Sequence, residues 1–419
     1  MFRKRVLRSG AVALVVASIA AVSTTGVAQG QSSVRGFDGS TITVAGLGIS
    51  GQFNPDMTTG ATARIKRFND TNEIKGIKIN FAEFADDKAD PATALNESRR
   101  LVDQVGVFAI VPAGSTNLPV SYLESKQVPV FGLGIDPMFC TSTPSTKVWA
   151  FGWSGCAVPP DAKRVADTTG KSYAYVSKTT GKKHPTVAMF SSDQAAGIIA
   201  AKNGAASATG AGFKVVYAKG EIPLQVGDYT PYVQKLLTSD DGHQPDAISC
   251  LGSTVCIAMY SALKAAGFTG FYQSALYSNL LLKPFEGAYA AWQAQSFEAT
   301  GVPALEQMKA DIDAVKPGKL STPMAMGYFS VDQFIAALKS VVKGKGTKGI
   351  TPQAVRTAAS TMTWELKNLA GPAKYPASTV RSTPACGTLN ASDGTIWSIV
   401  EPYKCSYKTY PVLPQFPGN

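Results

Sequence analysis

Two turns of small polar residues carry the clearest potential for binding chemistry in this chain. Each turn follows an apolar run, and the residues concerned are Gly114, Ser115, Thr116, Gly134, Ile135 and Asp136. Small polar residues between a buried strand and a helix present backbone N–H groups and hydroxyls, which suit an anion or a carboxylate. Glycine and serine also occur in such turns for geometry alone, so an ordinary connection is the alternative interpretation.

The elements around the two turns alternate between strand and helix patterns. Strands are predicted at 41–45, 77–84, 107–111 and 128–133, and helices at 59–69 and 90–104. This order indicates a parallel, doubly wound sheet, in which the carboxyl ends of neighbouring strands border one crevice. A second series of strands and helices between residues 162 and 275 has the same order. The predicted fold class is therefore α/β with two like-built units.

The first 28 residues have the features of a secretory signal peptide. Basic residues precede the apolar run Ala11–Val22, and small residues follow as far as Ala28. No cysteine lies near the expected cleavage site, so we expect an exported, periplasmic or extracytoplasmic protein without a lipid anchor. Cleavage removes four basic and no acidic residues, which lowers the formal net charge from +11 to +7. The other basic residues are spread along the chain, which argues against nucleic-acid binding.

All six cysteines lie beyond this segment, and export favours disulfides over zinc binding. Six cysteines allow several connectivities. Pairing by nearness in sequence would join Cys140 to Cys156, Cys250 to Cys256 and Cys386 to Cys405. Neither His184 nor His243 has the neighbours of a zinc site, and no metal or cofactor is predicted.

Several segments, taken with the order of elements, resemble one family. They are Ile42–Gly51 with Gly60-Ala61 and Phe68-Asn69, Ile74–Lys78 with Ala85–Ala92, Val128–Gly134, and Asp246–Gly267. The chain resembles the type I periplasmic solute-binding proteins, specifically the leucine/isoleucine/valine-binding branch that serves ABC transporters. The resemblance implies two doubly wound parallel-sheet lobes, joined by a hinge of three chain crossings, that close on a ligand.

The implied first lobe comprises residues 41–157 with 287–347, and the second comprises 158–286 with 348–419. Crossings are expected near 154–160, 280–286 and 344–351, because each of these segments contains glycine or proline.

By the same resemblance, the two polar turns hold a ligand carboxylate in the first lobe. Asp136 stands where the family usually has serine or threonine, and a carboxylate facing the crevice would repel an anion. We therefore expect Asp136 to cap the helix that follows. From the second lobe the family presents an aromatic residue and an acid that pairs with the ligand amino group. Here those positions fall at Ala195 or Ala196 and near Val255.

These departures predict a ligand without a free α-amino group, because a buried ammonium without a carboxylate partner is costly. The acids that could replace the missing one are Asp193, Glu221 and Asp136. The alanines leave room for a larger apolar ligand, and four aromatic residues are candidates to line its pocket. They are Phe53, Trp153, Tyr229 and Tyr277, with Trp153 and Tyr277 preferred as nearest to strand ends. Hinge or core packing is the alternative for each.

Enzymatic functions fit the sequence poorly. The glycine-rich segment 46–51 matches a dinucleotide fingerprint, but no helix begins within the glycines and no acid follows at the expected distance. A hydrolase would need a nucleophile with a base, and neither a GxSxG motif nor a suitable histidine is present. The acidic turn at Asp86, Asp87 and Asp90 lacks the spacing of a calcium loop and is predicted to be solvated.

We therefore expect a non-enzymatic, monomeric solute-binding protein that closes on a small ligand and delivers it to an ABC permease. The resemblance implies a branched-chain amino acid as ligand. The residue at position 255 favours instead an apolar or aromatic carboxylate or another hydrophobic metabolite. A sensory protein that signals to a membrane receptor is the alternative, and an exported hydrolase fits less well.

Overall fold

The computed structural model describes residues 34–140, 149–157, 159, 162–252, 254–375 and 384–412. The predicted signal peptide lies outside these residues. Within the described ranges, no helix is long and apolar enough to cross a membrane.

The amino-terminal part of the chain alternates strands with helices, as predicted. Its strands are β1 (Thr41–Gly48), β2 (Lys78–Asp86), β3 (Ala109–Gly114), β4 (Val130–Gly132) and β5 (Ala150–Gly152). Its helices are α1 (Ser50–Phe53), α2 (Asp56–Asp70), α3 (Pro91–Arg99) and α4 (Val120–Ser125). The five strands form one parallel sheet in the order β2-β1-β3-β4-β5. Every residue of the central strand β3 is buried, as expected where helices cover both faces.

The middle of the chain builds a second sheet. The strands of this part of the chain are β6 (Arg164–Ala166), β7 (Thr186–Ser192), β8 (Lys214–Ile222), β9 (Ala247–Cys250), β10 (Phe271–Ser274) and β11 (Tyr289–Trp292). Its helices are α5 (Gly170–Thr180), α6 (Ala195–Ala211), α7 (Thr230–Leu237) and α8 (Val255–Ala265). Strands β7 to β11 are parallel, whereas β6 lies outside this sheet.

The carboxyl-terminal part packs a helix against the first sheet and adds two strands to the second. Its helices are α9 (Pro303–Asp313), α10 (Thr322–Lys345) and α11 (Pro352–Thr361). Its strands are β12 (Thr363–Leu366), β13 (Ala370–Lys374), β14 (Ala385–Ser392), β15 (Trp397–Ser406) and β16 (Thr409–Pro411). The antiparallel hairpin β14–β15 extends the second sheet, whose order is β15-β14-β11-β10-β9-β7-β8. Strands β12 and β13 pair with each other, and β16 pairs with β6.

Helices α2 and α10 pack together through two glycines. A Cβ atom at Gly60 would lie 1.8 Å from the carbonyl oxygen of Met324, and one at Gly327 would lie 2.0 Å from that of Met57. Only glycine permits so close an approach of the two backbones. Arg64 of α2 is 2% exposed and forms ion pairs with Glu73 and Asp332. This contact fixes α10, a late segment of the chain, against the first sheet.

The predicted α/β class with parallel sheets is confirmed, but two lobe boundaries move. Strand β11 was assigned to the first lobe with residues 287–347, yet it pairs with β10 and β14 of the second sheet. Gly287, which follows the predicted crossing at 280–286, has φ +85° and precedes β11. Helix α11 was assigned to the second lobe with residues 348–419. Its buried residues Val355 and Ala359 instead pack in a cluster with β1 and α2.

The structure joins the six cysteines as the sequence order suggested. The disulfides are Cys140–Cys156, Cys250–Cys256 and Cys386–Cys405. The first ties the segment after β4 to the segment after β5. The third links β14 to β15 directly opposite each other in the hairpin.

Candidate functional site

The two polar turns lie at the same edge of the first sheet, where β3 and β4 end. Strands β1 and β3 meet closely at this edge, because Gly48 pairs with Gly114. A Cβ atom at Gly114 would lie 2.9 Å from the ring of Phe53, so glycine lets that ring cover the strand end. Ser115 is 1% exposed, whereas Thr116 and Ile135 are partly buried.

Asp136 ties the two turns together. Its Oδ1 accepts a hydrogen bond from the Met138 N–H at 2.7 Å, and its Oδ2 accepts one from the Leu118 N–H at 3.0 Å. The predicted capping role is confirmed, although the capped element is a single 3-10 turn, Pro137–Phe139. Burial raises the pKa of Asp136 to about 6 against the lowering effect of these hydrogen bonds, and the charge of Asp87 adds to the rise.

Asp87 directly follows β2, the edge strand beside β1, and its burial contradicts the prediction of a solvated acidic turn. Its side chain is 0% exposed. Its Oδ1 accepts a hydrogen bond from the Ala89 N–H at 2.9 Å, but its Oδ2 has no partner among the described residues. Burial raises the pKa of Asp87, while the Ser115 hydroxyl lowers it and the charges of Asp86 and Asp90 raise it. Sequence reasoning missed this residue, because polarity alone suggested exposure.

The donors of the first polar turn are largely used within the protein. The Asn117 N–H donates to Ser115 Oγ at 3.0 Å, and the N–H groups of Leu118 and Met138 donate to Asp136. In this structure these three N–H groups are therefore not offered to a ligand. That the turns hold a ligand carboxylate stays a prediction.

Trp153 and Tyr277 belong to one buried aromatic cluster. The Trp153 ring centroid lies 5.7 Å from that of Trp292 and 5.1 Å from that of Phe329. Tyr277 stacks 6.2 Å from Trp292 and its hydroxyl contacts Ser296 Oγ at 3.0 Å. Both predicted residues are 0% exposed, so they pack against other aromatic side chains.

The cluster joins the two sheets and contains unused donors. Trp153 follows β5 of the first sheet, and Trp292 ends β11 of the second. The indole N–H groups of both tryptophans are buried without a partner among the described residues. Trp292 and Phe329 are not among the predicted site residues, because their contacts with Trp153 join parts of the chain that are far apart in sequence.

The other predicted residues differ in exposure. Phe53 and Val255 are buried, at 4% and 2% exposure, and belong to the apolar cluster that also contains Trp153. Tyr229 is partly buried against that cluster. At the start of α6, Ala195 is exposed and Ala196 is partly buried.

Two of the three acids proposed to replace the missing one are already paired. Glu221 accepts hydrogen bonds from Tyr217 and Lys235, and Asp136 accepts two from the backbone. Asp193 is exposed, and its Oδ1 accepts from the Gln194 side chain at 3.2 Å.

Comparison with solved structures supports the two-lobe arrangement. A solute-binding protein of an ABC transporter from R. palustris, in complex with 4-hydroxybenzoate, is 19% identical with a TM-score of 0.66, covering 87% of this chain and 97% of that one. An ABC transporter protein for branched-chain amino acids from Thermus thermophilus, with bound valine, is 15% identical with a TM-score of 0.66, covering 87% and 96%. A leucine-binding protein from Thermotoga maritima is 14% identical with a TM-score of 0.64, covering 85% and 97%.

At these identities the likeness establishes the fold alone. No curated protein sequence matches the chain. The family model described as periplasmic binding protein matches residues 10–384, which is most of the chain. The resemblance inferred from the sequence is thereby confirmed, and the chain belongs to the periplasmic binding protein family.

Proposed function

We propose that this protein is the extracytoplasmic solute-binding component of an ABC importer, and that it captures a small, mainly apolar or aromatic solute. The solute binds between the two sheets, the lobes close on it, and a membrane permease receives it. The observation that carries the proposal is the apolar cluster shared by the two sheets, in which the ring centroids of Trp153 and Trp292 lie 5.7 Å apart. Binding and release require no covalent chemistry, so the protein acts without catalysis.

The lining of the crevice supports an apolar solute. Partly buried apolar side chains of both units border the cluster, namely Ile49, Ile135, Val226, Tyr229 and Leu276. Apolar and aromatic walls with a few polar groups are typical of small-molecule sites. Solved relatives of this fold were crystallised with 4-hydroxybenzoate, benzoate and valine, which are small solutes with an apolar part.

A thermal-shift screen of the mature protein tests the proposal. The panel comprises leucine, isoleucine and valine, their deaminated acids, and aromatic and alicyclic acids, alcohols and amines. A solute at 100 times its Kd should stabilise the native protein by about 2.7 kcal/mol. We expect aromatic or branched apolar solutes to raise the melting temperature, and a panel without any stabilising solute would contradict the proposal.

A matched pair of variants connects binding to the crevice. Tyr229→Ala removes a ring that packs against the shared cluster, whereas Tyr407→Ala removes a ring that is 73% exposed. The first substitution should weaken binding of the stabilising solute, and the second should leave it unchanged. Deletion of the gene should abolish cellular uptake of the same solute, and unaltered uptake would contradict the transport role.

A further inference from the structure

A cavity of about 160 Å³ lies between the connection that follows β10 and helix α9. Asn279, in the connection after β10, lines the side of the second sheet. Lys309 and Asp313 of α9 line the opposite side. The Arg67–Asp311 ion pair, at 2.9 Å, joins this helix to α2, which packs on the first sheet. The cavity is therefore bordered by elements of both units, and none of the predicted site residues lines it.

Charged side chains of both signs line this cavity. Lys309 and Lys319 supply two cationic groups, and Glu298 and Asp313 supply two carboxylates. Among the described residues, none of these four side chains forms an ion pair, although ion pairs occur close to them in sequence. Asp313 Oδ1 accepts a hydrogen bond from the Gly318 N–H at 3.4 Å. The four charges are therefore available to a molecule that enters the cavity.

The wall of the cavity also contains an acceptor that the protein does not use. The Oδ1 atom of Asn279 is buried, and it has no hydrogen-bond partner within the described part of the chain. A buried acceptor without a donor is costly, so a donor group bound in the cavity would recover part of that cost. Two buried side chains, Phe297 and Leu320, add an apolar surface to the same wall.

The size and the charges of the cavity together define a class of ligand. A cavity of roughly 150 Å³ can hold benzene, which has about six non-hydrogen atoms. A carboxylate complements the two lysines, and an ammonium complements the two acids and donates to the unused amide oxygen. A ligand with a single charge would face two side chains of its own sign without gaining both kinds of contact.

We propose that this cavity is a second binding site, separate from the crevice, and that it takes a small zwitterion. The ammonium and the carboxylate of this ligand are joined by a short apolar chain, which packs on Phe297 and Leu320. The inference goes beyond the proposed function, because it holds whichever solute the crevice captures.

Compounds of similar size that differ in their charged ends test the inference. The zwitterion 3-aminopropanoate carries both charges, whereas propylamine carries only the ammonium and propanoate only the carboxylate. Isothermal titration of the mature protein should show saturable binding of 3-aminopropanoate, at least tenfold tighter than that of either other compound. Its N-trimethyl derivative has no N–H for the amide oxygen and should also bind at least tenfold more weakly.

Substitutions in the cavity wall assign the binding to this place. Asn279→Leu removes the buried acceptor and Lys309→Met removes a cationic group, so each should weaken binding of 3-aminopropanoate at least tenfold. Asn279→Asp retains an acceptor and should preserve binding. Lys343→Met is the matched control, because this lysine is exposed near the end of α10 and does not line the cavity. Circular dichroism and the urea midpoint establish that the variants are folded.

Absence of saturable binding of 3-aminopropanoate, or equally tight binding of any of the other three compounds, would overturn the inference. Unchanged affinity in either Asn279→Leu or Lys309→Met would overturn it as well. The crevice variant Tyr229→Ala should bind 3-aminopropanoate as the wild type does, and a tenfold loss there would place the compound in the crevice and contradict a second site. The proposed function is tested separately by the thermal-shift panel, so the two failures are distinguishable.

Discussion

Lowering the pH from 7 to 4 should stabilise the wild-type protein by about 2 kcal/mol relative to its Asp136→Asn variant. Burial raises the pKa of Asp136 to about 6 in the native protein, whereas an aspartate in an unfolded chain titrates near ~3.9. This difference of about two in pKa corresponds to about 3 kcal/mol in full, of which about 2 kcal/mol develops between pH 7 and pH 4. The variant has nearly the same shape but no titrating group at this position.

The sign follows from the direction of the pKa change. Between about pH 4 and pH 6, the native Asp136 holds a proton that the unfolded chain has lost. The stabilisation is therefore complete below the unfolded pKa and is lost as the pH rises through about 6. Because the charge of Asp87 contributes to the raised pKa of Asp136, the pH-dependent difference should shrink when both proteins also carry Asp87→Asn.

Urea unfolding at pH 4, 5, 6 and 7 measures the difference, with the disulfides intact and tryptophan fluorescence as the signal. Comparison of two proteins that differ at one residue cancels the titration of the other carboxylates, apart from Asp87. A difference that does not change with pH would refute the reasoning. A difference of opposite slope would show that a cation holds Asp136 ionised, which would contradict burial as the main cause of its raised pKa.

Three further predictions concern the fold and the site. Arg64→Ala should destabilise the protein by about 3–5 kcal/mol in urea unfolding, because it leaves the buried carboxylates of Glu73 and Asp332 without this partner. As a control, Lys66→Ala at an exposed position should cost under ~1 kcal/mol. Equal effects of the two substitutions would contradict the role of the buried Arg64 ion pairs. Trp153→Ala should cost about 3–5 kcal/mol, since it empties a fully buried site, and a loss below about 1 kcal/mol would mean that this ring is not packed as described. Ser115→Ala combined with Thr116→Val should weaken binding of the stabilising solute at least tenfold in calorimetry, and unchanged affinity would remove the first polar turn from the site.

Local patterns were sufficient for most elements and for one residue role. The apolar run that ends at Gly114 is β3, and Asp90 caps α3 by accepting from the Thr93 N–H at 2.7 Å, ahead of the proline that starts the helix. The capping role of Asp136 followed from the same reasoning. These features depend on neighbours in sequence, which is why a single sequence reveals them.

Features that depend on distant contacts were not predictable in this way. The pattern around Trp292 indicates a strand, but only pairing with β10 and β14 decides which sheet it joins. Asp87 stands in a polar segment, yet it is buried and lies beside Ser115, a residue of the turn after β3. Trp292 and Asp87 both contact residues that are far from them in sequence, so a single sequence does not reveal their places in the candidate site.

Closure on the solute is the central claim, and small-angle X-ray scattering tests it most directly. The radius of gyration of the mature protein should be measured without solute and with a saturating amount of the best compound from the thermal-shift screen. A solute that bridges the two sheets shifts the population toward the closed form, so the radius should fall. An unchanged radius at saturation would contradict capture by lobe closure.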